Sequence, residues 1–222
     1  MDRPSDPVVS VVIPARNEAD YLQQCLESVR ALETERAYEV LVVDGASDDE
    51  TPAIAAAMGA TVVEESGSSI AAGRNRGADR ARGEWLAFVD ADTMLRPTYI
   101  DELLRFTGSE GLVAASSRCR MDGARATLME ATINHVFPRL DRPILPGFNF
   151  FVDRAVFEAT GGFPDVPNED TAYSRALGRR YATGYHPDVL VETSSRRIAD
   201  VGLTGTLYHY VRLDLQRLRA AN

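Results

Sequence analysis

The chain begins with an almost unbroken apolar run at residues 8–13 (VVSVVI), followed by Pro14 and a polar stretch. A β-branched run of this length marks a strand covered on both faces. Asn17, Glu18, Ala19 and Asp20 then supply helix-starting residues, and Leu22, Cys25, Leu26, Val29 and Leu32 recur at helical spacing. The alternation repeats with a strand at 39–43 (EVLVV), a short helix at 51–58, a strand at 60–63 and a helix at 70–80. A strand at 85–89 (WLAFV), a helix opened by Pro97 and running to Arg105, and a strand at 112–116 follow. Strands separated by helices of this length predict an α/β fold, Rossmann-like, with a mostly parallel sheet and helices on both faces.

Beyond Ser117 the periodicity loosens. Residues 126–137 read as an amphipathic helix and 144–152 as an apolar, aromatic stretch broken by Pro146-Gly147. Gly161-Gly162-Phe163-Pro164 reads as a turn, 171–177 as a helix, 189–191 as a short strand and 203–218 as a last helix. No repeat, low-complexity tract or linker interrupts the pattern, so residues 1–222 are expected to form one folded unit.

Composition narrows the function. With 45% hydrophobic and 26% charged residues the chain can bury a sizeable core. Its 33 acidic residues outweigh 24 basic ones, all arginine, for a net charge of -9. Such a surface repels phosphate backbones, which excludes nucleic acid as a general partner. Acid excess without lysine fits a protein working in concentrated salt, where charge repulsion is screened over short distances; a GC-rich genome that writes arginine for lysine is the alternative. Cys25 and Cys119 lie in no metal-ligand spacing, and Cys25 reads as a small core residue. The first residues carry no signal-peptide run, and no stretch approaches the ~18 apolar residues of a membrane span, so a cytoplasmic location is expected.

In an open parallel sheet, ligands bind beyond the carboxyl ends of the strands. Pro14-Ala15-Arg16-Asn17-Glu18 follows the first strand, Asp44-Gly45-Ala46-Ser47-Asp48-Asp49 the second, and Asp90-Ala91-Asp92 the fourth. Two carboxylates one residue apart at a strand end can both turn toward one Mg²⁺ or Mn²⁺, an ion that also binds diphosphate oxygens. Asp44 can accept hydrogen bonds from a base or ribose, beside a glycine that lets the ligand approach. Asp48 and Asp49 either share in that or cap the helix that starts near Thr51. Arg74 reads as reaching a diphosphate, holding Asp44, or standing as a plain surface residue of its helix.

Taken in order, VVIPARNEADYLQQCLESV, VVDGASDDET, AAGRNRGADRARGEWLAFVDAD and FVDRAVFEATGGFPDVPNEDTAYSRALGRRY resemble the family 2 glycosyltransferases, over residues 8–197. The resemblance implies a GT-A fold and transfer of a sugar from a nucleoside-diphosphate sugar. Residues 8–117 would form the donor half and 118–197 the acceptor and catalytic half. Pro14, Ala15 and Glu18 would border the nucleotide pocket with Asp44 on the base or ribose. Asp92, helped by Asp90, would hold the metal and diphosphate. Glu169-Asp170 would match the family's acidic motif, with Asp170 as general base, and Phe163 with Gly161-Gly162 would shape the acceptor side. Asp170 makes chemical sense by itself, since an acceptor hydroxyl attacks the anomeric carbon more readily as a carboxylate takes its proton. Asn168-Glu169-Asp170 also reads as the cap of the helix that begins near Thr171, and both roles can hold together. Arg196 and Arg197 resemble the basic residues that meet the donor diphosphate in related transferases.

Phe137, Phe148, Phe150 and Phe151 either line the acceptor site or belong to the core, and His186 and His209 either complete a metal shell or simply pack. The acceptor reads as a lipid-linked or small-molecule glycan. The apolar stripe at 200–220 packs on its own domain, on a second copy as a homodimer, or on the inner face of a membrane. Two other functions fit an α/β domain of this kind: a non-catalytic nucleotide-sugar-binding scaffold, and a nucleotidyltransferase, although the latter's Gly-rich, Lys-bearing phosphate loop is absent here.

Overall fold

The computed structural model describes residues 6–66, 69–122 and 126–194. Arg196, Arg197, His209 and the stripe at 200–220 lie outside the described residues. In chain order the elements are β1 (Val9–Ala15), α1 (Ala19–Arg30), β2 (Tyr38–Asp44), α2 (Thr51–Ala57), β3 (Thr61–Glu64), α3 (Ile70–Arg80), β4 (Trp85–Val89), β5 (Thr93–Leu95), α4 (Tyr99–Glu110) and β6 (Ala114–Met121). A helical segment follows, α-helical as α5 (Thr127–Ala131), π-helical over Thr132–Val136 and 3-10 over Phe137–Arg139. Then come β7 (Asn149–Asp153), α6 (Arg154–Thr160), α7 (Glu169–Leu177) and β8 (Thr183–Thr193).

The strands form one eight-stranded sheet in the order β3-β2-β1-β4-β7-β6-β8-β5. The pairs β3-β2, β2-β1, β1-β4 and β6-β8 are parallel, while β7 runs antiparallel to both neighbours and β5 antiparallel to β8. The apolar runs work as doubly covered strands. Val9, Val11 and Ile13 pack with Leu22, Cys25 and Leu26 of α1, Ala55 of α2 and Tyr99, Ile100 and Leu103 of α4 on one face. Val12, Leu41, Val43, Leu86, Phe88 and Phe150 pack with α3, α6 and α7 on the other. Period-two side-chain alternation sends neighbouring apolar residues to opposite faces, so both sides of each central strand leave water. Helix α3 lies so close to the sheet that a Cβ on Gly77 would meet Val12 Cγ1 at 2.3 Å and Val43 Cγ2 at 2.9 Å.

The first half keeps its expected elements, with ends shifted by a few residues. The second half departs from expectation at several points. The helix α6 was not expected, nor, within the first half, the short strand β5, and β8 runs eleven residues in place of three. Pro187 and Asp188 sit inside β8 where its register against β6 shifts, and this irregularity masks the strand in the sequence. The helix expected at 126–137 changes pitch at Thr132, where the buried Asn134 amide donates to Cys119 O (2.7 Å) and accepts from Cys119 N (2.9 Å), pairing with β6 like another strand. Phe150 and Phe151 are fully buried in the sheet and stand as core, not acceptor-site, residues. Phe137 and Phe148 also pack on the core, partly buried. Among the described residues no helix is long and apolar enough to cross a membrane.

Candidate active site

Chain order in the sheet reverses at β1, with β2 and β3 to one side and β4 to the other. At such a switch point the loops leaving adjacent strands diverge to opposite faces and open a crevice at the carboxyl edge. A cleft of about 380 Å³ lies there, bordered by Pro14, Ala15, Arg16 and Glu18 after β1, Val43 and Gly45 around the end of β2, Ser69, Ile70 and Gly73 of the α3 start, and Asp90, Ala91 and Asp92 after β4, with Glu65. Three non-glycine residues among those described adopt positive φ: Asn17 (55°), Ala46 (56°) and Asn168 (53°). Each lies in a loop beside a predicted site residue, and strained backbone of this kind persists where surrounding contacts hold it.

The loops after β1 and β2 are knitted together by side chains. Asn17 N donates to Ser47 Oγ (3.0 Å), Glu18 N to Thr51 Oγ1 (2.8 Å), Ala19 N to Asp49 Oδ2 (3.1 Å) and Asp48 N to Asn17 Oδ1 (2.8 Å). Asp49 Oδ1 also accepts from Thr51 N (2.9 Å), so Asp49 caps both helices, and the Thr51 hydroxyl is the first cause holding its carboxyl below the ordinary range. Asp44 is 8% exposed. Its Oδ2 accepts from Ser47 N (3.3 Å), but the buried Oδ1 has no hydrogen-bond partner. A buried carboxylate oxygen without a partner is costly.

Arg74 is neither the plain surface residue nor the partner of Asp44 that two of its expected roles made it. It is 2% exposed, on the buried face of α3, and does not hold Asp44. Its Nη2 donates to Asp90 Oδ1 (2.8 Å), its Nη1 pairs with Glu169 Oε1, and its Cζ lies 5.4 Å from the Phe163 ring centre. Burial alone would lower the guanidinium's pKa; the charges of Asp90, Glu169 and Asp170 more than reverse this and hold it above its ordinary value. The Glu169 carboxyl is pushed up, first by burial, with Asp170 adding and Arg74 opposing. Asp170 Oδ2 accepts from Gly147 N (2.9 Å) and Oδ1 from Thr171 N (2.6 Å). The helix starts earlier than expected, at Glu169, so Asp170 lies within its first turn and is held at the base of the 144–148 loop. Phe163 is buried in an aromatic cluster with Phe88, Phe150, Phe157 and Tyr173, and Asn75 clamps its backbone, accepting from Phe163 N (2.9 Å) and donating to Phe163 O (2.8 Å).

The structure therefore gathers Pro14, Ala15, Glu18, Asp90, Ala91 and Asp92 on one cleft and ties Asp90 to the Glu169-Asp170 pair through Arg74, while Asp44 lies buried between the bordering residues Val43 and Gly45 without lining the cleft itself. His186 lies elsewhere, buried against Phe106 with its Nε2 3.4 Å from Glu102 Oε2. Among the described residues no group of three His, Cys, Asp or Glu side chains is placed to hold a metal by itself. Magnesium-type ions bridging a diphosphate use one or two carboxylates and take the remaining ligands from phosphate and water, so Asp92 and Asp90 fit such an ion. Gly147, which touches both Arg74 and Asp170, was visible in the sequence only as part of a Pro-Gly break.

A family model described as Glycosyl transferase family 2 matches residues 10–162. The chain belongs to this family. Among relatives of this family 2 chain, the glycosyltransferase AglE of Haloferax volcanii is 30% identical over 209 residues, 83% of this chain and 66% of AglE. The low-salt glycan biosynthesis hexosyltransferase Agl6 of the same organism is 32% identical over 158 residues, 70% of this chain and 37% of Agl6. The chain thus spans from roughly a third to two thirds of the length of the curated relatives it matches. In fold it is similar to S. aureus TarS in complex with UDP-GlcNAc (TM-score 0.72, 18% identity, 85% of this chain and 58% of that one). The mannosyltransferase PcManGT from Pyrobaculum calidifontis, in complex with GDP-Man and Mn²⁺, aligns with TM-score 0.71 at 23% identity over 93% of this chain and 64% of that one. The fold of this family 2 member is accordingly GT-A.

Proposed function

We propose that this chain transfers a hexose from a nucleoside-diphosphate sugar to an acceptor hydroxyl or phosphate, with inversion at the anomeric carbon. The observation that carries this reading is the placement of Asp90 and Asp92 at the switch-point cleft, with Asp90 tied through Arg74 to the Glu169-Asp170 pair. The names of Agl6 as a hexosyltransferase and PcManGT as a mannosyltransferase with GDP-Man and Mn²⁺ support the donor class and the divalent ion.

In this mechanism Asp44 takes the base or ribose with its unpartnered Oδ1, and Pro14, Ala15 and Glu18 border the nucleotide. Asp92 and Asp90 would hold Mg²⁺ or Mn²⁺, which would neutralise charge on the diphosphate leaving group. Arg196 and Arg197 are assigned to the same diphosphate by the resemblance alone. Asp170 accepts the proton of the acceptor hydroxyl as its oxygen attacks the anomeric carbon. The bond from that carbon to the diphosphate breaks, its electron pair leaves with the nucleoside diphosphate, and attack from the opposite face inverts the centre. Arg74, paired with both Asp90 and Glu169, fixes these two carboxylates relative to Asp170. The acceptor is a lipid-linked or small-molecule glycan.

A thermal-shift series with UDP, GDP, dTDP and CDP, with and without Mn²⁺ in high salt, tests the donor site. Stabilisation by one diphosphate that needs both metal and Asp92, and is lost in Asp92→Ala, supports it. Folded protein that no diphosphate stabilises sinks the donor assignment in favour of a scaffold role. Asp170→Asn should keep binding and lose turnover; full turnover in that variant removes Asp170 as the base.

A further inference from the structure

We propose that Gly147 is a positioning residue for the proton-accepting carboxylate. The absence of a side chain lets the loop before β7 lie flat against the Arg74 guanidinium, where its N–H holds Asp170. This rests on the reading of Asp170 as base.

Nothing in the backbone of Gly147 demands glycine, because its φ is not among the positive ones. Space demands it. A Cβ would stand 2.5 Å from Arg74 Nη2, 2.6 Å from Cζ and 2.7 Å from Nη1, all below any real Cβ contact. The guanidinium cannot yield cheaply, since Asp90 and Glu169 each hold one of its terminal nitrogens. The loop cannot yield easily either. Leu145 N donates to the buried Ser174 Oγ (2.9 Å), and Asn149 N donates to Pro146 O (3.0 Å). Between these two anchors Gly147 N donates to Asp170 Oδ2 at 2.9 Å. One residue therefore registers the donor-side pair Arg74-Asp90 against the base on α7. A side chain at 147 lifts the loop, draws its N–H away from Asp170 Oδ2 and leaves the carboxylate held through Oδ1 by Thr171 N, about which it can turn. Gly147 does not border the nucleotide cleft.

The test uses donor hydrolysis, with water as acceptor, read as release of GDP from GDP-mannose or UDP from UDP-glucose with Mn²⁺. Gly147→Ala is expected to lower kcat by roughly a hundred-fold, the cost of a misplaced reacting group, with donor KM unchanged. An unchanged kcat, or a donor KM that rises as kcat falls, overturns the proposal. The same substitution in an Arg74→Lys parent, which keeps the charge but removes the planar group that the Cβ strikes, should cost roughly tenfold less. A full penalty in that parent shows that the effect does not run through the guanidinium and also overturns it. The Arg74→Lys comparison stands even where Gly147→Ala alone fails to fold. Asp170→Asn separates the two ideas. If it hydrolyses donor as the parent does, the base reading fails; if it is inactive while Gly147→Ala keeps full turnover, only the positioning role fails.

Discussion

Replacing Arg74 by methionine removes the cation between Asp90 and Glu169 while keeping an unbranched apolar stem on the buried face of α3. Breaking a buried ion pair from one side costs about 3–5 kcal/mol, because the partner charge stays behind without compensation. Asp90 is 29% exposed at the cleft and recovers part of its hydration, whereas Glu169 is only 13% exposed, so the lower end, about 3 kcal/mol, applies. For a domain of this size that lowers the melting midpoint by roughly 6–12 °C. The pH dependence carries a definite sign. Burial first, and Asp170 second, already raise Glu169 above its ordinary value, against the pull of Arg74. Removing Arg74 raises it further. A group with a raised folded-state pKa contributes stability below its unfolded value and loses it as pH rises through the folded value. The penalty of Arg74→Met should therefore shrink as the pH is lowered from about 8 to about 5, because acid favours the protonated Glu169 carboxyl. Thermal unfolding followed by circular dichroism across that range measures both quantities. Arg74→Met/Glu169→Gln should recover much of the loss, since the stranded charge is gone. A single variant within about 1 kcal/mol of the parent, or a penalty that ignores pH, would refute the ion-pair account.

His186 is held below its ordinary pKa, first by burial and also by Arg105, with Asp188 opposing. Stability from its neutral form is present above about pH 6.5 and lost as pH falls through the folded value, so His186→Gln should flatten the unfolding midpoint between about pH 7 and 5. Gly77→Ala places a methyl against Val12 and Val43 and should cost about 1–3 kcal/mol in urea unfolding; combining it with Val12→Ala should return part of that. Asp44→Ala should weaken nucleoside diphosphate binding by roughly ten- to a hundred-fold in calorimetry, at a stability cost of about 0.5–1.5 kcal/mol, since it loses the bond from Ser47 N to Oδ2 while Oδ1 has no protein partner.

Apart from the three-residue β5, the first half of the molecule was legible because its strands are apolar runs and its helices apolar stripes of local sequence. Residues 70–80 and 85–89 form the helix and strand that their patterns require. Asp90-Ala91-Asp92 and Asp44 could be placed at the ligand edge for the same reason: a parallel strand ends where its apolar run ends. The second half is held by contacts between residues distant in the chain. Strand β7 inserts antiparallel between β4 and β6, so the loop before it arrives at the carboxyl edge of β4, with Asn149 opposite Val89. No local pattern announces that reversal.

Local periodicity determined the α/β class, the doubly buried strands and the edge on which acidic residues gather, because side-chain direction follows from spacing along a strand or helix. Only the tertiary structure decided that Arg74 is a buried link between Asp90 and Glu169, that Asp49 caps two helices, and that Phe150 and Phe151 are core. It also decided that Gly147 touches both Arg74 and Asp170. A charged or small residue carries no record of its partner in its own neighbourhood; the partner is supplied by the order in which strands join the sheet.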